Sequence, residues 1–213
     1  MVNRIKKNGG FTRRTAGFTL IETLLAVLIL GLTIVGPLSI AAKGLTLARI
    51  SKDQTTAFYL AQDGVEYVHF ARDTNCLTAN SAAACTVDKW LVGNGNPVQT
   101  VDLTPCVSLD GGLSCYFDSL AQNPPAPTSC GGPSCTGTPL YYDPTNKNYT
   151  YSSAFGNTQS IFTRTVIIQY PWGGNDCVGT HGCEALLTVK VTWADAGGIS
   201  HTVSIVENIF NWE

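Results

Sequence analysis

The chain has 213 residues, of which 44% are hydrophobic and 13% charged, with 13 basic and 15 acidic side chains giving a formal net charge of -2. That length suits one domain with an appendage and a sizeable core. The apolar content excludes global disorder, and the near-neutral total argues against nucleic-acid binding driven by net charge. The average conceals a strong segregation. Residues 1–17 hold Arg4, Lys6, Lys7, Arg13 and Arg14 and no acid, so they carry +5 and the remaining 196 residues carry -7.

From Phe18 to Ala42 the chain runs 25 residues with a single charge, Glu22. At about 1.5 Å per residue, the uncharged part alone, Thr23–Ala42, can cross a hydrocarbon core of about 30 Å. The basic cluster on its N-terminal side predicts a single pass through the cytoplasmic membrane, with the N-terminus in the cytoplasm and the bulk of the chain outside. A buried core helix is disfavoured by the length and aliphatic character of the run. A cleaved secretory signal could use Ser39, Ala41 and Ala42, but the apolar stretch is too long and has an acid near its start.

An ionised acid inside a bilayer costs several kcal/mol, less near a helix end. Glu22 therefore either reaches the headgroups or finds a cationic partner. None lies within the run. A cut between Gly17 and Phe18 would place a new amino terminus four residues before Glu22, about one helical turn away.

The segment Gly17-Phe18-Thr19-Leu20-Ile21-Glu22, set between a short basic leader and a long aliphatic helix, resembles the processing site of type IV pilins and pseudopilins. The resemblance implies that a prepilin peptidase removes residues 1–17 by cutting after Gly17 and methylates Phe18. It also implies that the helix, first held in membrane lipid, packs with other pilins through an assembly platform, and that Glu22 helps to set register in the filament. Gly31, Gly36 and Pro37 are expected to interrupt the helix, since Pro removes a backbone donor and Gly weakens helices. Pilins carry breakers in a similar zone, slightly further along than Pro37; an ordinary kink near the membrane exit is the other reading.

Residues 43–74 read as an amphipathic continuation, with Leu47, Ile50, Ala57, Phe58, Ala61, Val65 and Val68 at helical spacing. Helix from Phe18 to Asp73 would span about 84 Å. Ala57–Glu66 is similar to minor pilins of the pilus-modification type and to type II secretion minor pseudopilins. The remainder, 75–213, reads as an extracytoplasmic head. Residues 75–160 are rich in Gly, Pro, Ser and Thr and predict loops with short strands. Three better strands follow at Ile161–Tyr170, Glu184–Ala194 and Ile199–Phe210, the last two joined at Asp195-Ala196-Gly197-Gly198. The expected fold class is α+β: a long N-terminal helix packed by its amphipathic half on an antiparallel sheet.

All eight cysteines lie beyond the apolar segment, where an even count suggests disulfides. Their spacing favours Cys76–Cys85, Cys106–Cys115, Cys130–Cys135 and Cys177–Cys183, among 105 pairings. Zinc at Cys177, His181 and Cys183 is disfavoured for lack of a CxxC pair, and calcium at Asn175-Asp176 for lack of an acidic ladder. His69 and His201 read as isolated helix-surface and strand residues. No cofactor and no catalytic constellation is expected.

The reading is thus of a structural subunit, a minor pilin or pseudopilin of a pilus, type II secretion or DNA-uptake filament, whose 75–160 region could serve adhesion or capping. A signal-anchored binding domain that keeps residues 1–17 and never polymerises is the alternative.

Overall fold

The computed structural model describes residues 17–77, 90–93, 100–108, 112–120, 126–170 and 184–211. Cys85, Cys177, His181, Cys183 and the Asn175-Asp176 loop lie outside the described residues. The chain divides into two compact units, Met1–Arg49 and Ile50–Glu213. One helix, α1 (Leu20–Leu77), contributes to both. The residues expected to interrupt it do not end it, because α1 continues through Gly31, Gly36 and Pro37. A single proline in a helix this long forfeits one backbone bond while the turns on either side keep theirs.

In the second unit, α1 buries Ala57, Leu60, Ala61, Gly64, Tyr67, Val68, Ala71 and Asn75. These recur at three- and four-residue steps, the spacing of one helix face. Two residues of the expected stripe do not belong to it: Leu47 and Phe58 are 64% and 45% exposed. The true stripe is lined by small residues, which lets the sheet come close. A Cβ at Gly64 would lie 2.8 Å from Cγ1 of Val189 and 3.3 Å from Cδ of Arg164, so only glycine fits that crossing without displacing a stiff β-branched side chain.

Among the described residues eight strands form two antiparallel sheets: β1 (Cys115–Tyr116), β2 (Thr128–Ser129), β3 (Tyr141–Asp143), β4 (Asn148–Thr150), β5 (Thr158–Gln159), β6 (Thr163–Gln169), β7 (Glu184–Ala194) and β8 (Ser200–Phe210). The larger sheet has the order β2-β1-β6-β7-β8 and the smaller β4-β3-β5. The main sheet is therefore not confined to residues 161–213, because the loop-rich region supplies β1 and β2 to it. The fold is α+β, as its pattern of one long helix and alternating strands predicts.

Strand β7 alternates cleanly: Ala185, Leu187, Val189, Val191 and Trp193 are buried, as a half-buried strand requires. The register aligns Arg164, Val166 and Ile168 of β6 with Val191, Val189 and Leu187. Val203, Ile205 and Ile209 of β8 lie opposite Val191, Val189 and Ala185. Together with Trp90, Leu91, Val101, Leu103, Phe117, Leu140 and Phe162 these side chains form one core over the helix stripe.

Arg164 occupies an inward, 1%-exposed position in that apolar row. Its guanidinium donates from Nη1 to the Leu60 carbonyl at 3.2 Å and to the Asp63 carboxylate, and from Nη2 to the Phe117 carbonyl at 2.8 Å. It also lies 4.9 Å from the Phe117 ring centroid and 5.9 Å from that of Tyr151, within cation–π range. Asp63 also accepts the Ser119 hydroxyl at 2.6 Å. Helix, sheet and the 117–120 connection thus meet on one buried cation.

Asn75 does comparable work near the helix end. Its Nδ2 donates to the Trp90 and Val101 carbonyls at 3.2 and 2.8 Å, and its Oδ1 accepts the Val101 N–H at 2.8 Å. The backbone of a buried loop is thereby satisfied by one side chain. Two disulfides, Cys106–Cys115 and Cys130–Cys135, staple the loops flanking β1 and β2, and Cys76 is also disulfide-bonded.

These contacts predict an order of stability losses. Arg164→Ala removes a buried cation with three acceptors and should cost about 3–5 kcal/mol. Asp63→Asn, at a carboxylate 43% exposed, should cost about 1 kcal/mol or less after solvent screening. Urea unfolding of the full chain in detergent, followed by tryptophan fluorescence, measures both; equal losses would show that the pairing rather than the carbonyl contacts dominates.

Candidate functional site

The described part of the first unit begins at Gly17. Thr19 precedes the first helical residue, and its carbonyl accepts the N–H groups of Glu22 and Thr23 at 3.0 and 3.2 Å. Its hydroxyl lies 3.4 Å from the Glu22 N–H. The sequence Thr-x-x-Glu with the threonine side chain facing the third helical N–H is half of a capping box. Glu22 also stands in the first turn, where a carboxylate is favoured by the helix dipole. Phe18, Thr19 and Glu22 are therefore placed by ordinary helix-start chemistry, with Gly17 before the first turn.

Beyond this start, every large apolar side chain from Phe18 to Leu47 is at least 52% exposed. The helix contains an 18-residue stretch apolar enough to cross a membrane, none of it buried within the chain. Among the described residues one helix, at the N-terminal end, is long and apolar enough to cross a membrane, and a folded α+β unit follows it. Thr23 and Thr33 donate their hydroxyls to the carbonyls of Leu20 and Leu30, at 2.8 and 2.9 Å, so these two polar side chains are satisfied by the helix itself.

Of the eight expected disulfide cysteines, the structure brings together Cys106 with Cys115 and Cys130 with Cys135, at Cα separations of 4.7 and 5.0 Å. Short loops of this kind contribute about 2–3 kcal/mol each in the chain-entropy account. Among the described residues no cysteine is free, and no cluster of three His, Cys, Asp or Glu side chains could hold a metal.

The two described histidines are not isolated. His69 of α1 pairs with Glu207 of β8 at 2.5 Å. Glu207 lies in the inward row of β8 beside Ile205 and Ile209, where a carboxylate needs a partner and the helix presents a histidine. His201 lies 3.0 Å from Asp195 across the β7–β8 turn and stacks on Trp193 with ring centroids 5.4 Å apart. The signal for both was available: a period-two reading of β8 puts His201 and Glu207 on the core face.

In that turn Asp195 Oδ1 accepts the N–H groups of Gly197 and Ile199 at 2.8 and 2.9 Å. Gly198 takes φ of +78°, a conformation side-chain-bearing residues rarely adopt. The hydrogen bond from His201, then those from the Ile199 and Gly197 backbone, hold the Asp195 carboxyl below the usual carboxylate value.

No family model matches the chain, nor does any curated protein or solved structure.

The Asp195 turn gives a pH prediction. Its carboxyl is held below 3.8 in the folded chain, so its contribution is fully present above that value and is lost as pH falls through the lower folded value. Hydrogen exchange at the Gly197 and Ile199 amides should accelerate only on acidification below about pH 4, beyond the intrinsic trend. Asp195→Asn should remove that step; its persistence in the variant would assign the protection to another group.

Proposed function

We propose that the chain is a structural subunit of an extracytoplasmic filament of the type IV pilin or pseudopilin kind. It is inserted as a precursor with its N-terminus in the cytoplasm, processed between Gly17 and Phe18, and assembled through α1. The observation that carries this reading is the coupling, in one helix, of a bare apolar half to a half that forms the spine of a disulfide-bonded core. The apolar half needs an environment other than water along its whole circumference, and it leads directly into the Gly17–Glu22 segment that resembles a prepilin processing site.

Each residue then has a stated role. Gly17 offers the peptidase a residue without a side chain, and cleavage before the apolar run retains the helix. The new amino terminus at Phe18 sits one turn from Glu22, where it or the terminus of a neighbouring subunit neutralises a carboxylate otherwise costly in an apolar medium. The disulfides fit an oxidising compartment outside the cytoplasm. The partners on this reading are prepilin peptidase, the assembly platform and other subunits of the same filament.

Gly17→Leu should leave full-length precursor in the membrane, seen as a larger band and an uncut N-terminus by mass spectrometry. In the parent protein the mature N-terminus should be methylated Phe18; an intact Met1 would instead identify a permanent anchor. Glu22→Ala should leave cleavage largely intact while reducing recovery in sheared filaments at least about tenfold, the ratio that corresponds to about 1.4 kcal/mol of lost pairing. Unchanged recovery would remove the assembly role of Glu22.

A further inference from the structure

A cleft of about 520 Å³ opens beside the β3–β4 hairpin, lined by polar side chains and by one aromatic ring. Its size lies within the roughly 300–1,000 Å³ range of small-ligand sites. Phe155 stands at the cleft with 109% relative exposure. Nothing in the described chain covers this ring, although the same region buries Phe162 and Phe117. A bare aromatic face beside convergent polar groups is poorly suited to water and well suited to a ligand that is apolar on one face and hydroxylated at its edge.

The polar groups are held in place. Asp118 accepts the Tyr151 and Leu120 N–H groups at 3.1 and 3.2 Å, together with the Thr150 hydroxyl. Asp143 accepts the Thr145 and Asn146 N–H groups at 2.8 and 3.2 Å and the Asn146 side-chain amide at 2.7 Å. A carboxylate offers about four acceptor directions, so each retains capacity for a hydroxyl donor. The Asn157 amide donates to the Ser152 carbonyl at 2.9 Å, which fixes a third polar side chain of the cleft lining. The Asn146 amide, followed by the Thr145 N–H, holds the Asp143 carboxyl below its ordinary value, so it is an ionised acceptor at neutral pH.

The alternatives fit less well. Two carboxylates repel an anion, and among the described residues no lysine or arginine lines the cleft. Calcium takes six to eight oxygen ligands, whereas these two carboxylates already spend most of their acceptor directions on the loop backbone. We propose that this cleft binds a neutral saccharide, one sugar face stacking on Phe155 while ring hydroxyls donate to Asp118 and Asp143. The site rests on the cleft alone and holds whether or not the chain polymerises.

The test uses the full-length protein in a detergent without a sugar headgroup. Saturation-transfer NMR is run against glucose, galactose, mannose, N-acetylglucosamine and their disaccharides, with and without EDTA. Transfer to at least one sugar, unchanged by EDTA, is expected. Phe155→Ala should weaken it about tenfold with no change in thermal midpoint, since the ring packs on nothing, and Phe155→Trp should retain it. Absence of transfer from every sugar, equal binding by Phe155→Ala, or binding abolished by EDTA would each overturn the proposal.

Discussion

The second unit is organised around a cation in its core. Arg164 is presented by β6 into a row of valines and isoleucine, and its guanidinium is met by two main-chain carbonyls, a carboxylate and two aromatic faces. Burying a guanidinium is costly unless its donors are met; here both Nη groups are met, while the buried Nε has no acceptor among the described residues. That condition imposes positions on several elements at once: the Leu60 turn of the helix, Asp63 one turn on, and the backbone at Phe117. The 117–119 segment is then tied by three successive residues, Phe117 to Arg164, Asp118 to the Thr150–Tyr151 backbone and hydroxyl, and Ser119 to Asp63. Phe117 further stacks on Tyr67 of the helix at 3.8 Å. Through Asp118 the smaller sheet is linked to the same joint. A hydrophobic core alone would tolerate sliding of helix over sheet; a buried fork with directional partners admits one register.

Around that joint the close approach of helix and sheet follows from Gly64. Small residues at 57, 61, 64 and 71 make a shallow face into which the β-branched side chains of β7 fit, and Tyr67 and Leu60 flank it. Overpacking by even one methyl at Gly64 would have to move Val189 or Arg164, the second of which is already fixed by its hydrogen bonds.

Much of this architecture was legible. The charge asymmetry and the apolar run mark the anchor, the period-two alternation marks β7 with its buried face, and the close cysteine pairs mark the two observed staples. What escaped was the polar chemistry inside the core. Reading 161–170 as a strand rich in β-branched residues passes over Arg164, though the same alternation that buries Val166 and Ile168 must bury it too. Asn75 looks like the end of a helix and the start of a loop, yet its side chain replaces the missing backbone partners of Trp90 and Val101. Leu47 and Phe58 fit the helical spacing of the stripe without belonging to its buried face, whereas Ala57 and Ala61 do belong to it. Phe58 is large and exposed, whereas Gly64 is small and buried. In a tightly crossed helix–sheet pair the small residues mark the contact. Strands β1 and β2, two residues each, have no pattern of their own; β6 offers an edge to β1, and β1 in turn to β2.

The start of α1 has two claims on one carboxylate. As the third helical residue after Thr19, Glu22 has its backbone N–H met by the Thr19 cap and its carboxylate favoured by the helix dipole, each typically a fraction of a kcal/mol to about 1 kcal/mol. Those terms operate in a single chain and require no partner. They do not account for the cost of holding the same carboxylate against an apolar surround, which is several times larger. Nor does apolar burial distinguish lipid from a bundle of like helices, because lipid tails are as apolar as the side chains they cover. If the exposed segment from Phe18 to Leu47 exchanges one apolar surround for another on assembly, the net drive must come from packing and from polar pairing. On the filament reading the pairing of Glu22 with an amino terminus is then the term that changes sign between a lone anchor and an assembled helix. The helix dipole makes the first turn a favourable place for the acid in a single chain, and on the filament reading the pairing explains why it would matter on assembly.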